Sequence, residues 1–255
     1  MSAHAAKEND SGYLARLALR DQLLAAYGNH GSPSSTALRR LRLAWKRASW
    51  IAAVSGAKLL KRSLDVAVSV AAILALFPLF LTVALLIKRH DGGPVLFWQR
   101  RVGLWGREFD FPKFRSMRVD AEALKDSLLG RNDHGQGVTF KMKRDPRITP
   151  IGRIIRKLSI DELPQLWCVL RGEMSLVGPR PPLPREVASY TLADRRRLDV
   201  KPGLTCIWQA RGRGDIPFAE QVRLDVQYVQ SRSFWLDLKL ILETIPAVLT
   251  GRGAY

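Results

Sequence analysis

The sequence predicts an α+β fold, mainly helical, in which a re-entrant membrane helix is followed by a membrane-associated cytoplasmic domain with a small β-hairpin. Three observations predict it. Residues 64–87 are almost wholly apolar, residues 95–111 suggest two short strands around a glycine turn, and helical patterns recur after residue 151. We therefore expect an N-terminal extension over 1–57, partly helical or disordered, the membrane helix over 58–90, and a domain over 91–255.

The composition indicates a polyanionic partner. The chain carries 41 Lys and Arg residues against 23 Asp and Glu, a net charge of +18. Such an excess is typical of proteins that meet nucleic acid, an acidic membrane surface or phosphorylated substrates. Cys168 and Cys206 lie in apolar settings without metal-ligand spacing, which predicts buried free thiols in a reducing compartment. The N-terminus lacks the pattern of a cleavable secretory signal.

The N-terminal extension contains a predicted helix over about 36–56. Its five cations precede Trp45, Trp50 and Ile51, the pattern of a helix that lies on an anionic bilayer. An ordinary solvated basic face explains the cations equally well, so both readings stay open. These cations are Arg39, Arg40, Arg42, Lys46 and Arg47.

The apolar stretch 64–87 is long enough to cross a bilayer as a helix. Pro78 removes a backbone hydrogen bond past its middle and predicts a kink. Asp65 is costly in lipid unless it stays near the headgroups or pairs with Lys61 or Arg62. Cations flank both ends, which favours both ends on the cytoplasmic side. We therefore expect a helix that enters, bends at Pro78 and returns, ahead of a simple span and of a buried soluble helix.

The remaining elements follow from periodicity and turn residues. Residues 95–99 and 108–111 predict the hairpin, with the turn at 103–106. Helices are predicted over 120–129, 151–158, 161–170, 185–198, 218–230 and 234–249.

The chemistry is expected around Asp161 and Glu162, two adjacent carboxylates that follow the basic segment 153–157. Pro164 fits the first turn of a helix, so alone the pair reads as a helix cap. Basic turns elsewhere change that reading, because paired acids beside fixed cations suit phosphate and metal chemistry. These cations are Lys113 and Arg115 on one face of an extended segment, Arg180 in a proline-rich turn, and Arg213 in a glycine-rich one.

No common catalytic template competes with this site. The chain has no Gly-x-x-x-x-Gly-Lys-Ser/Thr phosphate loop, no Gly-x-Ser-x-Gly elbow and no His-Glu-x-x-His motif. Its four histidines fall in predicted loops or tails, which leaves nucleophilic and acid–base work to carboxylates.

Several motifs, in order, resemble the bacterial sugar transferases, which are monotopic phosphoglycosyl transferases that use a polyprenyl phosphate. The resemblance covers roughly residues 58–254. It is carried by Lys61-Arg62 with Asp65, Gly93-Pro94-Val95, Gln99, Arg101-Val102-Gly103, Lys113-Phe114-Arg115-Ser116-Met117, Asp145-Pro146-Arg147-Ile148-Thr149, Asp161-Glu162-Leu163-Pro164-Gln165-Leu166, the run from Met174 to Pro181, and Lys201-Pro202-Gly203-Leu204-Thr205.

The resemblance implies a reaction and roles for site residues. Asp161 would attack the sugar-linked phosphorus of a UDP-sugar and release UMP, and undecaprenyl phosphate would then take the sugar phosphate. Glu162 would help to bind Mg²⁺ together with Asp161, or handle a proton. By motif position, Lys113, Arg156, Arg180 and Arg213 would hold phosphate oxygens. Asp225 and Asp237 match acidic positions whose role is not separable from helix capping or pairing with arginine.

The relatives imply glucose or galactose as the sugar, exopolysaccharide or glycoconjugate synthesis as the process, and the bacterial cytoplasmic membrane as the location, with the 91–255 catalytic domain facing the cytoplasm. The chain departs from the family pattern at Phe77, which precedes Pro78 in place of serine, at Cys168 in place of asparagine, and at Cys206 in place of glycine. Without four further membrane helices upstream, it is expected to be the short form of the family.

Two alternatives stay open: a membrane-tethered nucleic-acid-binding protein that uses the +18 charge, and a non-catalytic adaptor in polysaccharide assembly. The leading interpretation involves membrane lipids and no nucleic acid. A homo-oligomer or polysaccharide-assembly proteins are further candidate partners.

Overall fold

A computed structural model of the 255-residue chain describes residues 18–19, 21–22, 33–124, 142, 145–212 and 216–250. The chain divides into two compact units, Met1–Gly56 and Ala57–Tyr255. The described residues are mainly helical, with a small two-stranded antiparallel sheet, as predicted.

Helix α1 runs from Pro33 to Asp91. It joins the two helices predicted over 36–56 and 64–87, and it continues through Pro78, so the predicted bend does not take the form of a break. Thr82 lies one turn after Pro78, and its hydroxyl donates to the Pro78 carbonyl at 2.8 Å. Among the described residues, α1 is the one helix long and apolar enough to cross a membrane.

Within the second unit, one stripe of α1 is buried against the rest of the domain and the opposite face is exposed. The buried stripe includes Asp65, Ser69, Val83 and Ile87, which recur at helical spacing. The exposed face carries Val70, Leu74, Phe77, Leu81 and Leu85.

The predicted hairpin is present. Strand β1 spans Leu96–Val102 and pairs antiparallel with β2, which spans Glu108–Phe114, so that Leu96 lies opposite Phe114 and Val102 opposite Glu108. A 3-10 turn over Leu104–Gly106 connects them, with Trp105 in the left-handed region at φ 56°. Both strands are longer than predicted, because the pairing extends through charged and proline residues that do not alternate with apolar ones.

The other elements surround this hairpin. They are α2 (Pro150–Lys157), a 3-10 turn (Ile160–Gln165), α3 (Leu166–Arg171), β3 (Ser175–Val177), α4 (Pro184–Ala188), a 3-10 turn (Asp194–Leu198), β4 (Gly203–Thr205), α5 (Ile207–Arg211), α6 (Phe218–Ser231) and α7 (Phe234–Thr250). The single helix predicted over 185–198 is thus two short elements. Thr191 and Asp194 explain the interruption, because the Asp194 carboxylate accepts from the Thr191 amide and hydroxyl and starts a new turn. Residues 121–124 form turns, while the rest of the helix predicted to residue 129 lies outside the described residues.

A second sheet, which the sequence did not predict, pairs β3 with β4 in parallel, with Ser175 opposite Gly203. Their close approach depends on glycine. A Cβ built on Gly203 would lie 2.0 Å from the backbone nitrogen of Gly178. No side chain fits at that distance, which explains glycine at this position.

Two apolar clusters hold α1 to the domain. The larger includes Phe111, Leu166, Val169, Met174 and Leu240, against which part of α1 packs. The smaller joins Val83 and Ile87 of α1 to Phe114 and Ile155. Because the two clusters contact different turns of α1, the helix is packed along the domain rather than at one end.

Polar contacts fasten α1 at its entry into the domain. Lys61 pairs with Asp237 and donates to the Val177 carbonyl at 3.2 Å. Arg62 donates to the Val169 and Leu170 carbonyls at 2.6 and 2.7 Å.

Asp65 does find partners within the domain, but they are not Lys61 or Arg62, the two that the sequence suggested. Its Oδ1 accepts instead from the Ser175 hydroxyl at 3.0 Å and the Leu176 amide at 2.9 Å. The two cations are already directed towards Asp237 and the backbone carbonyls at the end of α3.

Candidate active site

The acidic pair lies in the 3-10 turn Ile160–Gln165, between α2 and α3. Ser159 enters this turn in the left-handed region, at φ 53° and ψ 22°, and its amide donates to the Arg156 carbonyl at the end of α2. This conformation is uncommon outside glycine, asparagine and aspartate, and it reverses the chain sharply. Asp161 and Glu162 therefore occupy the first turn of a short helical segment. The interpretation of Asp161 as the cap is wrong, because Ser159 holds the N-cap position and no side-chain cap hydrogen bond forms.

Glu162 is held by two cations. Its Oε1 accepts from Lys113 Nζ at 2.9 Å and from Arg180 Nη2 at 3.1 Å. Burial would raise the pKa of Glu162, but the charges and hydrogen bonds of Lys113 and Arg180 outweigh it and lower the pKa. Glu162 is therefore an ionised, fixed carboxylate at neutral pH.

Asp161 has the opposite environment. It is 8% exposed, and its carboxylate makes no hydrogen bond or ion pair with another residue in the described ranges. Burial raises its pKa to about 6, against the opposing charge of Lys113 and with the support of the neighbouring Glu162 charge. Arg156 and Arg180 also oppose the rise. Asp161 thus stays mostly ionised at neutral pH while its oxygens are not committed to a protein partner.

Lys113 and Arg101 both lie close to the Phe111 ring in the hairpin. Lys113 Nζ is 5.4 Å from the ring centroid and the Arg101 guanidinium carbon 5.2 Å. Arg101 donates to the Gln99 side chain and, at 2.9 Å, to the Pro181 carbonyl. Because Pro181 follows Arg180, the hairpin fixes the turn that presents Arg180 to Glu162.

Arg180 contacts Trp208, which is linked in turn to Asp225 and Arg197. Its guanidinium lies 6.0 Å from the ring of Trp208, whose indole N–H donates to Asp225 at 3.2 Å. Asp225 is fully buried and pairs with Arg197, and burial raises its pKa to about 6. Asp225 therefore supports Trp208 and Arg197 and makes no hydrogen bond or ion pair with the acidic pair in the described part of the chain.

The structure brings together only some of the predicted site residues. Lys113 and Arg180 contact Glu162, and the charge of Arg156 acts on Asp161. Arg213 lies outside the described residues.

Arg115 and Asp237 are placed elsewhere. Arg115 forms a two-pronged ion pair with Asp91 at the end of α1 and donates to the Pro94 carbonyl at 2.6 Å. The donors of Arg115 are thus directed to Asp91 and Pro94, and its role as a second diphosphate ligand beside Lys113 stays a prediction. Asp237 accepts from Tyr228 at 2.6 Å and pairs with Lys61.

Three supporting residues were missed as site residues: Arg101, Trp208 and Arg197. For Arg101 a signal existed in its spacing. It lies two residues beyond Gln99, the last residue of the predicted strand, and the two share one face if the strand continues. Trp208 and Arg197 gave no signal, since nothing local shows that they converge on Asp225, 17 and 28 residues further along the chain.

The donor set is compatible with one kind of divalent cation. In the described part of the chain, no cluster of three or more His, Cys, Asp and Glu side chains is placed to hold a metal. Mg²⁺ typically takes one or two protein carboxylates and completes its shell with water and substrate phosphate. Asp161 and Glu162 supply such a pair, and both cationic contacts of Glu162 fall on Oε1. The site thus fits a metal that arrives with a phosphorylated substrate.

The two cysteines are buried free thiols, as predicted. Cys206 has extended backbone, at φ −149°, which any residue adopts, so its replacement of a glycine does not distort the turn after β4. Burial raises the pKa of Cys168 to about 12, which keeps it a protonated thiol.

Comparison with known proteins identifies the family of this fold. A profile described as Bacterial sugar transferase matches residues 56–251, more than three quarters of the chain. The Exopolysaccharide production protein ExoY of Sinorhizobium fredii is 43% identical over 198 residues, which cover 76% of this chain and 88% of ExoY. A UDP-glucose:undecaprenyl-phosphate glucose-1-phosphate transferase of Caulobacter vibrioides is 43% identical over 204 residues, or 76% of this chain and 72% of that protein.

A longer relative shows higher identity over a smaller region. The Galactosyl transferase CpsE of Streptococcus agalactiae is 56% identical over 167 residues, which cover 65% of this chain but only 37% of CpsE. The chain thus spans little more than a third of this longer protein.

Proposed function

The chain belongs to the bacterial sugar transferase family, and we propose that it transfers a sugar 1-phosphate from a UDP-sugar, either glucose or galactose, to undecaprenyl phosphate. The names of the Caulobacter and Streptococcus relatives support these substrates, and the name of ExoY supports a role in exopolysaccharide synthesis. One observation carries the proposal. A buried, ionised Asp161, which has no hydrogen-bond or ion-pair partner among the described residues, lies beside a carboxylate that two cations hold in place.

The first step is nucleophilic substitution at phosphorus. An Asp161 carboxylate oxygen attacks the sugar-linked phosphorus of the UDP-sugar and forms an acyl phosphate. The bond from that phosphorus to the bridging oxygen breaks, and the oxygen leaves with its electron pair as part of UMP. Burial suits Asp161 to this role, because it removes water that would otherwise solvate the attacking oxygens.

The second step restores the enzyme. An oxygen of undecaprenyl phosphate attacks the same phosphorus, and the acyl phosphate bond breaks to regenerate the Asp161 carboxylate. The product is undecaprenyl diphosphate-sugar. Two substitutions at one phosphorus predict ping-pong kinetics, in which UMP leaves before the lipid reacts.

The cations around the pair bind and orient the phosphates. Lys113 and Arg180 are anchored on Glu162, so their remaining N–H groups are available in fixed positions for phosphate oxygens, and Arg156 adds positive charge beside Asp161. Arg213 remains a predicted phosphate ligand. Asp161 and Glu162 would hold Mg²⁺, which when bound neutralises part of the diphosphate charge.

The family match favours this transferase over the nucleic-acid-binding protein and the non-catalytic adaptor. The deciding experiment measures UMP release across a panel of UDP-sugars with Mg²⁺ and undecaprenyl phosphate. We expect Asp161→Asn to abolish turnover, whereas Asp110→Asn, which alters an exposed carboxylate paired with Arg100, keeps it. Full turnover by Asp161→Asn would show that Asp161 is not the nucleophile. Inactivity of the wild type with every sugar would favour the non-catalytic adaptor.

We further propose that the apolar part of α1 is re-entrant, with both ends on the cytoplasmic side of the bacterial inner membrane. Contacts at both ends support this. Lys61 and Arg62 bind the domain before the apolar stretch, and Asp91 binds Arg115 after it. In a simple span the two ends of the apolar stretch would lie on opposite sides of the bilayer. One domain could then keep both attachments only if charged side chains entered the lipid, which is costly.

Cysteine labelling tests this topology. Lys58→Cys and Arg89→Cys place single exposed thiols on the two flanks, while Cys168 and Cys206 are buried. We expect a membrane-impermeant maleimide to label neither variant in intact spheroplasts and both after permeabilisation. Labelling of one flank alone from outside would establish a span instead.

A further inference from the structure

We propose that residues 38–52 of α1 form a surface that binds anionic lipid headgroups, with an apolar arc at the boundary between headgroups and acyl chains. This segment lies outside residues 56–251, which match the family. The proposal therefore goes beyond the transfer reaction, which the matched residues carry. It concerns a lipid contact of the first unit alone.

The segment has an uninterrupted positive charge. All five of its cations have exposed side chains, and the sequence contains no acidic residue between Asp21 and Asp65 that would neutralise them. Each cation near an anionic leaflet gains a favourable interaction that salt screens. The cations are Arg39, Arg40, Arg42, Lys46 and Arg47.

The apolar arc provides the second, independent observation. Leu38, Leu41 and Trp45 recur at spacings of three and four residues, so they share one side of the helix. They are 57%, 68% and 74% exposed. Arg42 lies at the edge of this arc, and the other four cations lie further round the helix, with Leu43 and Trp50 among them. Large apolar side chains in a row on an exposed helix indicate a surface that is covered in its working environment.

The two arcs together favour a lipid surface over nucleic acid. Phosphate contacts with DNA or RNA require cations but no exposed leucine and tryptophan on the opposite side of the helix. A helix in the bilayer interface requires both, because the cations meet headgroup phosphates while the apolar side chains leave water. A basic helix that is simply surrounded by water gains no stability from large apolar side chains exposed along one side.

A matched pair of labels in the full-length chain tests the orientation. Leu41→Cys and Leu43→Cys are two residues apart and start from similarly exposed leucines, but their side chains point to opposite arcs. Because Cys168 and Cys206 are buried, a thiol-reactive fluorophore marks only the new position. The protein is reconstituted into phosphatidylcholine vesicles that carry a nitroxide quencher below the headgroups, with or without about 30% phosphatidylglycerol.

We expect quenching at position 41 to exceed quenching at position 43 by about two-fold or more in the anionic vesicles, and the difference to shrink without phosphatidylglycerol. Equal quenching at both positions would overturn the proposal, since a buried or spanning segment has no water-facing side. Absence of quenching combined with a response of the label at 43 to DNA would overturn it in favour of nucleic acid.

Charge variants supply the second arm. Replacing the five cations with glutamine should abolish the difference between positions 41 and 43, while Arg195→Gln with Arg196→Gln, at exposed sites in the other unit, should keep it. Retention of the full difference by the five-fold variant would overturn the proposal. UMP release in neutral detergent should be the same in all of these proteins, so that failure of the transferase proposal is seen separately from failure of lipid binding.

Discussion

Asp161 and Glu162 are neighbours in the chain, but their surroundings give them different chemical characters. Lys113 and Arg180 both bind Oε1 of Glu162. Their charges and hydrogen bonds lower the pKa of the Glu162 carboxyl, and one of its oxygens is occupied by these two contacts. Asp161 is buried without such partners in the described ranges, and its pKa rises to about 6. One dipeptide thus supplies a fixed carboxylate and a carboxylate that suits the proposed nucleophile, because only Glu162 forms ion pairs with Lys113 and Arg180.

The raised pKa predicts how the reaction depends on pH. Since the pKa of Asp161 lies at about 6 instead of its ordinary 3.8, the nucleophile becomes protonated as the pH falls through 6. We expect single-turnover UMP release to fall by about ten-fold per pH unit below that value. Thermal unfolding at each pH controls for loss of the fold. A rate that stays flat from neutral pH down to 5 would contradict the assignment of Asp161.

A second residue-scale prediction concerns Lys113. Its charge is the largest influence that opposes the rise in the pKa of Asp161. Lys113→Met should therefore move the acidic limb of the rate profile to higher pH and slow UMP release, while Lys113→Arg should keep the limb closer to that of the wild type. The readout is the midpoint of the limb, not the rate alone. A limb that stays in place in Lys113→Met would show that another group titrates there.

Sequence reasoning succeeded at this scale where a motif carries local information. Glu162, Lys113 and Arg180 were all named from short motifs, and the structure places them in contact. The partner of Arg115 was not foreseen, because alternation along a strand predicts the face of a side chain but not its partner. That partner, Asp91, lies 24 residues away, and only the packing of α1 brings it there.

At the scale of elements, α1 is held to its domain by charges as well as by apolar contacts. Asp237 is buried and accepts from both Lys61 and Tyr228, so its loss leaves Lys61 without its counter-charge and both donors with the Val177 carbonyl as their remaining shared acceptor. Lys61 is only half-buried, which reduces the penalty through solvent screening.

Asp237→Asn should lower the free energy of unfolding by about 2 kcal/mol, measured by denaturant unfolding in detergent. Glu220→Gln on α6 removes an exposed pair with Arg223 and should leave stability unchanged. In the double variant Lys61→Met with Asp237→Leu, we expect most of the loss to be recovered, because no unpaired charge remains. Equal losses in Asp237→Asn and Glu220→Gln would mean that the ion pair does not fasten the helix.

The tip of the hairpin predicts a gain in stability. Trp105 adopts φ 56° and is mostly exposed, so its bulky side chain adds backbone strain without much burial. Trp105→Gly should raise the free energy of unfolding by about 1 kcal/mol. Trp98→Gly, at a partly exposed position within β1, should lower it, because glycine weakens a strand interior. A loss in both variants would indicate that Trp105 makes a stabilising contact that outweighs its strain.

The elements that periodicity predicts are those long enough to show a period. The hairpin and helices α2, α6 and α7 belong to this group. The parallel pair of β3 and β4 does not, because each strand has three residues, and their pairing depends on the close approach of Gly178 and Gly203 across the fold. The break within 185–198 depends on one side-chain contact between Thr191 and Asp194, which a helical pattern does not reveal.

At the scale of the whole molecule, the net charge of +18 is divided among different tasks. Some cations hold internal carboxylates, as Arg147 does with Asp145 and Arg197 with Asp225. Others converge on the acidic pair, and five more lie exposed on the first unit. Composition alone predicts a polyanionic partner, but it does not separate the cations that serve the fold from those that are free to meet a ligand.

This division predicts the effect of removing divalent metal. Ion pairs between side chains, not a metal site, hold the described part of the fold, so EDTA should leave the thermal unfolding midpoint unchanged. UMP release should fall by about 100-fold or more, because the diphosphate loses the cation that neutralises it. Adding Mg²⁺ back should restore the rate. A lowered midpoint in EDTA would instead reveal a structural metal.

The attachment of α1 also has a consequence for synthesis on the ribosome. Lys61 and its acceptor Asp237 are 176 residues apart, and Asp65 is bound by Ser175 and Leu176, more than a hundred residues downstream. At about 5–20 residues per second, the apolar helix emerges roughly 10 to 35 seconds before Asp237 is made. During that interval the apolar stretch of α1 is exposed, and Lys61 and Asp65 beside it lack the partners they have in the folded protein. Early delivery to the membrane surface, where water and headgroups solvate those charges, is therefore a requirement of biogenesis and not only of the finished enzyme.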